Sequence, residues 1–171
     1  MTAPIPSTPN FVYKIYPLTE SYQIPIPHKS DFTFPQDSLD QSSGYFHMSS
    51  KDQLPGILNF FFDSHERVQI VKISYSKLSE AETVKWELGD DGNAYPHLYA
   101  LLSGEFVVEV KIVDKGNAWS ETATKLIEEG WLEYWLCNAL YVSHYSLSDR
   151  FSALTSPERL VHLVGKNYWW S

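Results

Sequence analysis

A single cysteine, Cys137, excludes an internal disulfide and any thiolate-held metal cluster, so zinc-finger architectures fall away. Positive charge is also scarce. Thirteen Lys and Arg face 21 Asp and Glu, for a net charge of -8. A nucleic-acid backbone or an anionic membrane surface would repel such a chain, so neither is expected as its main partner. No apolar run approaches the roughly 20 residues that span a bilayer, and MTAPIPSTPN at residues 1–10 has neither the basic nor the apolar stretch of a secretory signal. Together these absences predict a cytoplasmic, non-membrane protein. Also missing are a Gly-rich phosphate loop, a nucleophile elbow, a local Ser-His-Asp signature and any internal repeat. What remains is 171 residues, 43% hydrophobic and 20% charged, a balance that suits one globular domain. Aromatic residues reach 15%, with six Trp, eleven Tyr and nine Phe, and part of this ring surface is expected to line a pocket.

Three prolines and no periodicity make residues 1–10 a mobile leader. Phe11, Tyr13 and Ile15 alternate with Val12, Lys14 and Tyr16, the period of a strand. Residues 17–43, rich in Pro, Ser and Asp, read as an unusually long loop of the kind that covers sites. A short aromatic strand at residues 44–48 precedes Leu54, Ile57, Leu58 and Phe61, whose spacing predicts an amphipathic helix capped by Asp52, with Pro55 in its first turn. The β-branched run VQIVKISY at 68–75 predicts a central strand, followed by a shorter one through Val84, Lys85 and Trp86. GDDGN at 89–93 is a turn, and apolar residues resume at 95–102. In residues 105–113 Phe106, Val108, Val110 and Ile112 are expected on one strand face. Trp119, Ala123, Leu126 and Ile127 share a helical face before Gly130, and Trp131, Trp135, Leu136, Ala139 and Leu140 continue it. Ser156-Pro157-Glu158 starts a last helix and Gly165 stops it. Interleaved strands and helices, then helices, give an α+β class.

His47 lies between Phe46 and Met48, and His97 between Pro96 and Leu98, so both imidazoles sit in apolar sequence where an unpaired ring is costly. One reading has them converge across a cleft as an acid and a base; the other has each satisfied by a core carbonyl. Glu87 follows Trp86, which points either to a carboxyl raised by desolvation into a proton donor or to a solvated strand end. Ser49 and Ser50 precede a helix start, suited to an anion or to simple capping. Tyr13 and Tyr99 offer flat faces to a planar ligand or to the core. No metal site is expected, because His47, His97 and Glu87 lack local ligand spacing. His28, His65, His144 and His162 have no partner motif, and Cys137 reads as a small buried hydrophobe.

Four segments in order resemble the family known as domain of unknown function 952: VYKI at 12–15, GYFHMSS at 44–50 leading to Gln53, Trp86-Glu87, and YPHLY at 95–99. The second and fourth are similar to that family's Phe-Ile-His-Leu-Ser and Phe-Pro-His-Leu-Tyr-Gly signatures, with Ala100 in place of the final Gly. The resemblance spans residues 11–133, taken as one α+β domain, and leaves 134–171 as a helical C-terminal extension beyond the family's usual end. It implies an ADP-ribosyltransferase-like fold, two small curved antiparallel-rich sheets around a cleft with flanking helices, and NAD as the possible substrate; no bound cofactor is implied. In the enzymes of that fold a Glu on a late strand fixes the nicotinamide ribose. Here Pro96 or His97 stands near that position, and Glu87 or Glu105 is the alternative carboxylate.

The expectation is therefore a small protein acting on NAD or a related nucleotide through a cleft with His47, His97 and Glu87 as catalytic groups and Tyr13, Ser49 and Tyr99 as ligand contacts. Two alternatives stay open: acid/base chemistry on another metabolite, or a non-catalytic binding module. Residues 134–171 are the expected segment for a protein partner or self-association.

Overall fold

The computed structural model describes residues 8–19 and 22–132. Most of the expected leader, the extension at 134–171 with Cys137, His144, His162 and the start at Ser156, and the helical face from Trp135 onward lie outside the described residues. In chain order the elements are β1 (Phe11–Pro17), α1 (Ser38–Ser43), β2 (Phe46–His47), α2 (Leu54–Phe61), β3 (Arg67–Ser74), α3 (Tyr75–Ala81), β4 (Val84–Leu88), β5 (Ala94–Leu98), a 3-10 turn (Gly104–Phe106), β6 (Val107–Asp114) and α4 (Trp119–Glu128). The strands form two three-stranded antiparallel sheets, ordered β1-β3-β6 and β2-β5-β4. This is the α+β class read from the sequence.

The β-branched run becomes β3, the middle strand of the first sheet, and it is buried on both faces from Val68 to Ile73. On one face Val71 and Ile73 join Val12, Tyr16 and Val110 against Phe46, Met48 and Leu98. On the other, Val68 and Ile70 join Tyr13, Ile15 and Val113 beneath Leu54 and Leu58 of α2 and Trp119 and Leu126 of α4. One sheet thus separates two apolar layers, which is why its central strand reads as an apolar run rather than an alternation.

Three sequence expectations need correction. The alternation expected for Phe106, Val108, Val110 and Ile112 is broken: Phe106 belongs to the 3-10 turn, and the pairing of β3 with β6 slips between Lys72 and Ile73. An extra residue at such a bulge turns the side chains before it to the opposite face, leaving Val108 54% exposed while Val110 and Val113 are buried. The helix at Leu54 is capped by Gln53 rather than Asp52, without a side-chain bond to its own first turn. Gln53 is committed elsewhere: its Oε1 accepts the Ser50 N–H at 2.9 Å and its Nε2 donates to the Ala94 carbonyl at 2.7 Å.

The stretch read as one long loop also contains α1. Asp37 accepts the Asp40 N–H, the Asp40 carboxylate accepts the Asp37 N–H in return, and Gly44 closes the helix at φ 79°. This is a reciprocal capping box in which Asp replaces the usual Glu. Only left-handed backbone ends the helix this way, which favours glycine. At the end of α4, Gly130 (φ 72°) turns Trp131 and Leu132 back so that both their N–H groups donate to the Leu126 carbonyl.

Leu98, fully buried between the sheets, is the test of this layering. Leu98→Ala is expected to lower unfolding free energy by about 2–5 kcal/mol, whereas the exposed Leu101→Ala should shift it by less than about 0.5 kcal/mol. Denaturant midpoints measure both, and equal effects would contradict the arrangement.

Candidate functional site

The second sheet has two chemically different faces. Antiparallel register sets Phe46 opposite Leu98 and His47 opposite His97, then Lys85 opposite His97 and Glu87 opposite Tyr95 on the far side of β5. Successive side chains point to opposite faces, so Phe46 and Leu98 enter the core while His47, His97, Lys85 and Glu87 share the other face. The structure brings the two imidazoles side by side, with ring centroids 5.1 Å apart and planes at 68°. Their apolar neighbours in sequence belong to the opposite face.

Each histidine meets its own carboxylate through Nδ1. His97 Nδ1 lies 2.7 Å from Glu87 Oε2, and the Tyr99 hydroxyl donates to the same oxygen at 2.7 Å. His47 Nδ1 lies 2.9 Å from Asp40 Oδ1, and the His47 backbone N–H donates to the same oxygen at 2.9 Å. Asp40 is 0% exposed, and Lys14, 3% exposed, lies within 2.8 Å of Oδ1 and 2.6 Å of Oδ2, with a further bond of 2.8 Å to Asp37 Oδ2. Tyr45 fills the space between the pairs, its ring centroid 4.8 Å from His47, 4.4 Å from His97 in a stacked arrangement and 5.0 Å from Tyr99. Lys85 Nζ stands 4.1 Å from the Tyr99 ring centroid.

Proton affinities follow from these partners. Burial pushes His97 down and outweighs the opposing bond to Glu87, so its imidazole is the neutral donor. Hydrogen bonds from His97 and Tyr99 hold Glu87 below the usual carboxylate range. Tyr99, donating to that carboxylate, is pushed up to about 12. Burial alone would raise Asp40; the His47 hydrogen bond and the Lys14 charge override it and keep the carboxyl low.

Of the expected site residues, His47, His97, Glu87 and Tyr99 come together. Tyr13 and Ser49 do not join them. Tyr13, 1% exposed, lies on the other face of the first sheet, its ring centroid 5.9 Å from that of Trp131. Ser49, 2% exposed, exchanges both backbone hydrogen bonds with Tyr13 at 2.9 Å and turns its Oγ to the Tyr13 carbonyl at 3.4 Å. The pair is a joint between β1 and the chain after β2. Trp86 does not desolvate Glu87 into a proton donor, since its indole N–H points to the Tyr75 hydroxyl at 3.0 Å, on the core side of the strand. Glu105 sits exposed in the 3-10 turn. His28 packs against Phe34, and His65 against Phe62.

Asp40, Lys14, Asp37 and Tyr45 are the residues that sequence reasoning missed. A signal existed for the first three: Lys14 occupies an inward position between Val12 and Tyr16, and a buried ammonium demands a carboxylate. Among the described residues no group of three or more His, Cys, Asp and Glu is placed to hold a metal ion, and no helix is long and apolar enough to cross a membrane.

Residues 27–110 match the family model described as "Protein of unknown function (DUF952)". That match takes in Asp37, Asp40, Tyr45, His47, Glu87, His97 and Tyr99, and it supports the family resemblance over a shorter span than residues 11–133. The fold is similar to the X-ray crystal structure of protein CC0527 from Caulobacter crescentus, at 23% identity and a TM-score of 0.52, covering 63% of this chain and 89% of that one. The solution NMR structure of CC0527 aligns at 22% identity and a TM-score of 0.53, covering 70% and 96% of the two chains. No curated protein matches.

The depressed His97 has a thermodynamic consequence. Its folded pKa lies below the ordinary 6.5, so as pH falls through that value the unfolded chain takes up the proton first and stability declines until the folded pKa is passed. Asp40 and Glu87 act in a separate window, because their lowered pKa values cost stability only below the ordinary 3.8 and 4.5. Thermal melts of wild type and His97→Gln should therefore diverge in pH dependence just below 6.5, with the wild type losing more. Identical slopes would mean that His97 is not held neutral by burial.

Proposed function

We propose that this chain is a small enzyme that moves protons through His47 and His97 on a ligand held against Tyr45 and Tyr99, with NAD or a related nucleotide as the substrate class. One observation carries the reading: two histidine–carboxylate couples stand 5.1 Å apart, centroid to centroid, on one sheet face. Acid/base chemistry needs one group ready to take a proton and one ready to give it. His97, kept neutral by burial, is the base; His47, held at 2.9 Å by the Asp40 carboxylate, is the second proton-handling group beside it. Reacting groups on a shared rigid element also need little reorganisation.

NAD comes from the ADP-ribosyltransferase-like resemblance, and two small antiparallel sheets support that fold assignment. The Glu typical of those enzymes has Pro96 or His97 near its position, but Glu87 on the neighbouring strand brings a carboxylate to the same face. Its Oε2 takes the bonds from His97 and Tyr99, which leaves Oε1 for a ribose hydroxyl. An anionic carboxylate there suits positive charge developing on a ribose ring as its glycosidic bond breaks. The same reading keeps the protein in the cytoplasm and leaves residues 134–171 for a protein partner or a second copy.

A binding module without turnover is favoured by a different observation, the stacking of Tyr45 on His97 at 4.4 Å, which occupies one face of the imidazole. Proton NMR of the full chain with NAD separates the readings. Nicotinamide release that falls on the order of 10²-fold or more in His47→Ala and His97→Ala supports the enzyme. Broadened NAD lines without release support the binding module, and neither effect removes NAD and leaves acid/base chemistry on another metabolite.

A further inference from the structure

Asp40 is a fully buried carboxylate that collects hydrogen bonds from three parts of the chain: Lys14 on β1, the Asp37 N–H at the start of α1, and both the backbone N–H and Nδ1 of His47 on β2. A lone anion in that place would be prohibitively costly, and Lys14 supplies the countercharge. Lys14 is equally enclosed, with Asp37 as its second carboxylate and the rings of Tyr16 and Phe46 within 5.5 and 6.0 Å of its Nζ. An ionised carboxylate only accepts, so the nitrogen facing it must bear the hydrogen and the other must carry the lone pair. Because the His47 amide and ring both bond Oδ1, the imidazole is also fixed relative to its own backbone.

We propose that Lys14 and Asp40 are positioning residues for His47, a buried ion pair that locks its imidazole in the Nδ1–H tautomer and leaves Nε2 as the end that meets a ligand. The Glu87–His97 couple does the same for its ring from the solvent side, so both Nε2 atoms are proton acceptors when the rings are neutral. A purely structural role for the ion pair, tying α1 to the sheets, would leave the tautomer of His47 indifferent to Asp40. The proposal rests on His47 as a proton-handling group, but its first test does not require turnover.

Long-range proton–nitrogen correlation spectra of the nitrogen-15-labelled full chain, recorded at alkaline pH where imidazoles are neutral, report the tautomer of each ring. Wild-type His47 is expected with Nδ1 protonated and Nε2 bare. Asp40→Ala, which removes the acceptor from Nδ1, should release His47 toward the Nε2–H form that free imidazole favours and leave His97 unchanged; Glu87→Ala should do the reverse. Lys14→Arg, which keeps the countercharge, should retain the wild-type pattern. A wild-type His47 protonated on Nε2 overturns the proposal without any variant, so a poorly folding Asp40→Ala does not rescue it. An Asp40→Ala spectrum with His47 unmoved overturns it as well. If nicotinamide is released, Asp40→Ala should reduce that release on the order of 10²-fold while NAD still binds; absence of release in wild type counts against NAD as a substrate, and the spectra then decide the tautomer alone.

Discussion

A charged side chain has been folded into the interior at Lys14, and much of the structure around the candidate site answers to that fact. Its two carboxylate partners come from one capped helical turn, where Asp37 and Asp40 already satisfy each other's backbone N–H groups. The cap therefore sets the distance between the carboxylates, and the ammonium fits between them. Removing one partner of such a pair typically costs about 3–5 kcal/mol, because the remaining charge is stranded. Asp40 then passes the constraint to β2, so an ion pair rooted in one sheet orients a ring that projects from the other.

The second sheet shows how little chain is needed to combine a core and a site. In β2, one residue of the pair Phe46–His47 packs against the first sheet and the next faces the candidate site; β5 repeats this with Leu98 and His97. A shift of one residue in either strand would bury the imidazole and expose the apolar ring or chain. The core contacts that fix register are consequently what hold the two histidines opposite each other.

The two histidine–carboxylate couples are not equivalent. Asp40 is sealed and compensated by a buried lysine, whereas the Glu87 side chain is 40% exposed and shares one oxygen between His97 and Tyr99. The sealed carboxylate has a fixed charge environment; the open one can exchange its partners for solvent or ligand. That asymmetry gives the two neighbouring rings different surroundings, the condition under which otherwise similar groups take different roles.

Strand periodicity, β-branched runs and turn residues made β1, β3, β4, the 89–93 turn and α4 legible in the sequence, because each depends on nearest-neighbour preferences and one-sided burial. The motif pair around His47 and His97 was legible too, as similarity rather than geometry. The bulge beside Val108 was not, since it is set by pairing with Lys72 and Ile73 more than thirty positions away. Helix α1 was hidden by a proline-rich setting, and α3 buries only Leu78, too little for a periodic signal. Tyr13 and Ser49 were placed in the site by their neighbourhood in the motif, but alternation and the β1 joint turned them away. The sequence by itself determined which residues favour strand, helix and turn and which side chains can move a proton. Tertiary structure alone decided that Asp40 and Lys14 meet His47 and that His97 meets Glu87, because hydrogen-bond partners separated along the chain are selected by register and burial, which no local preference encodes.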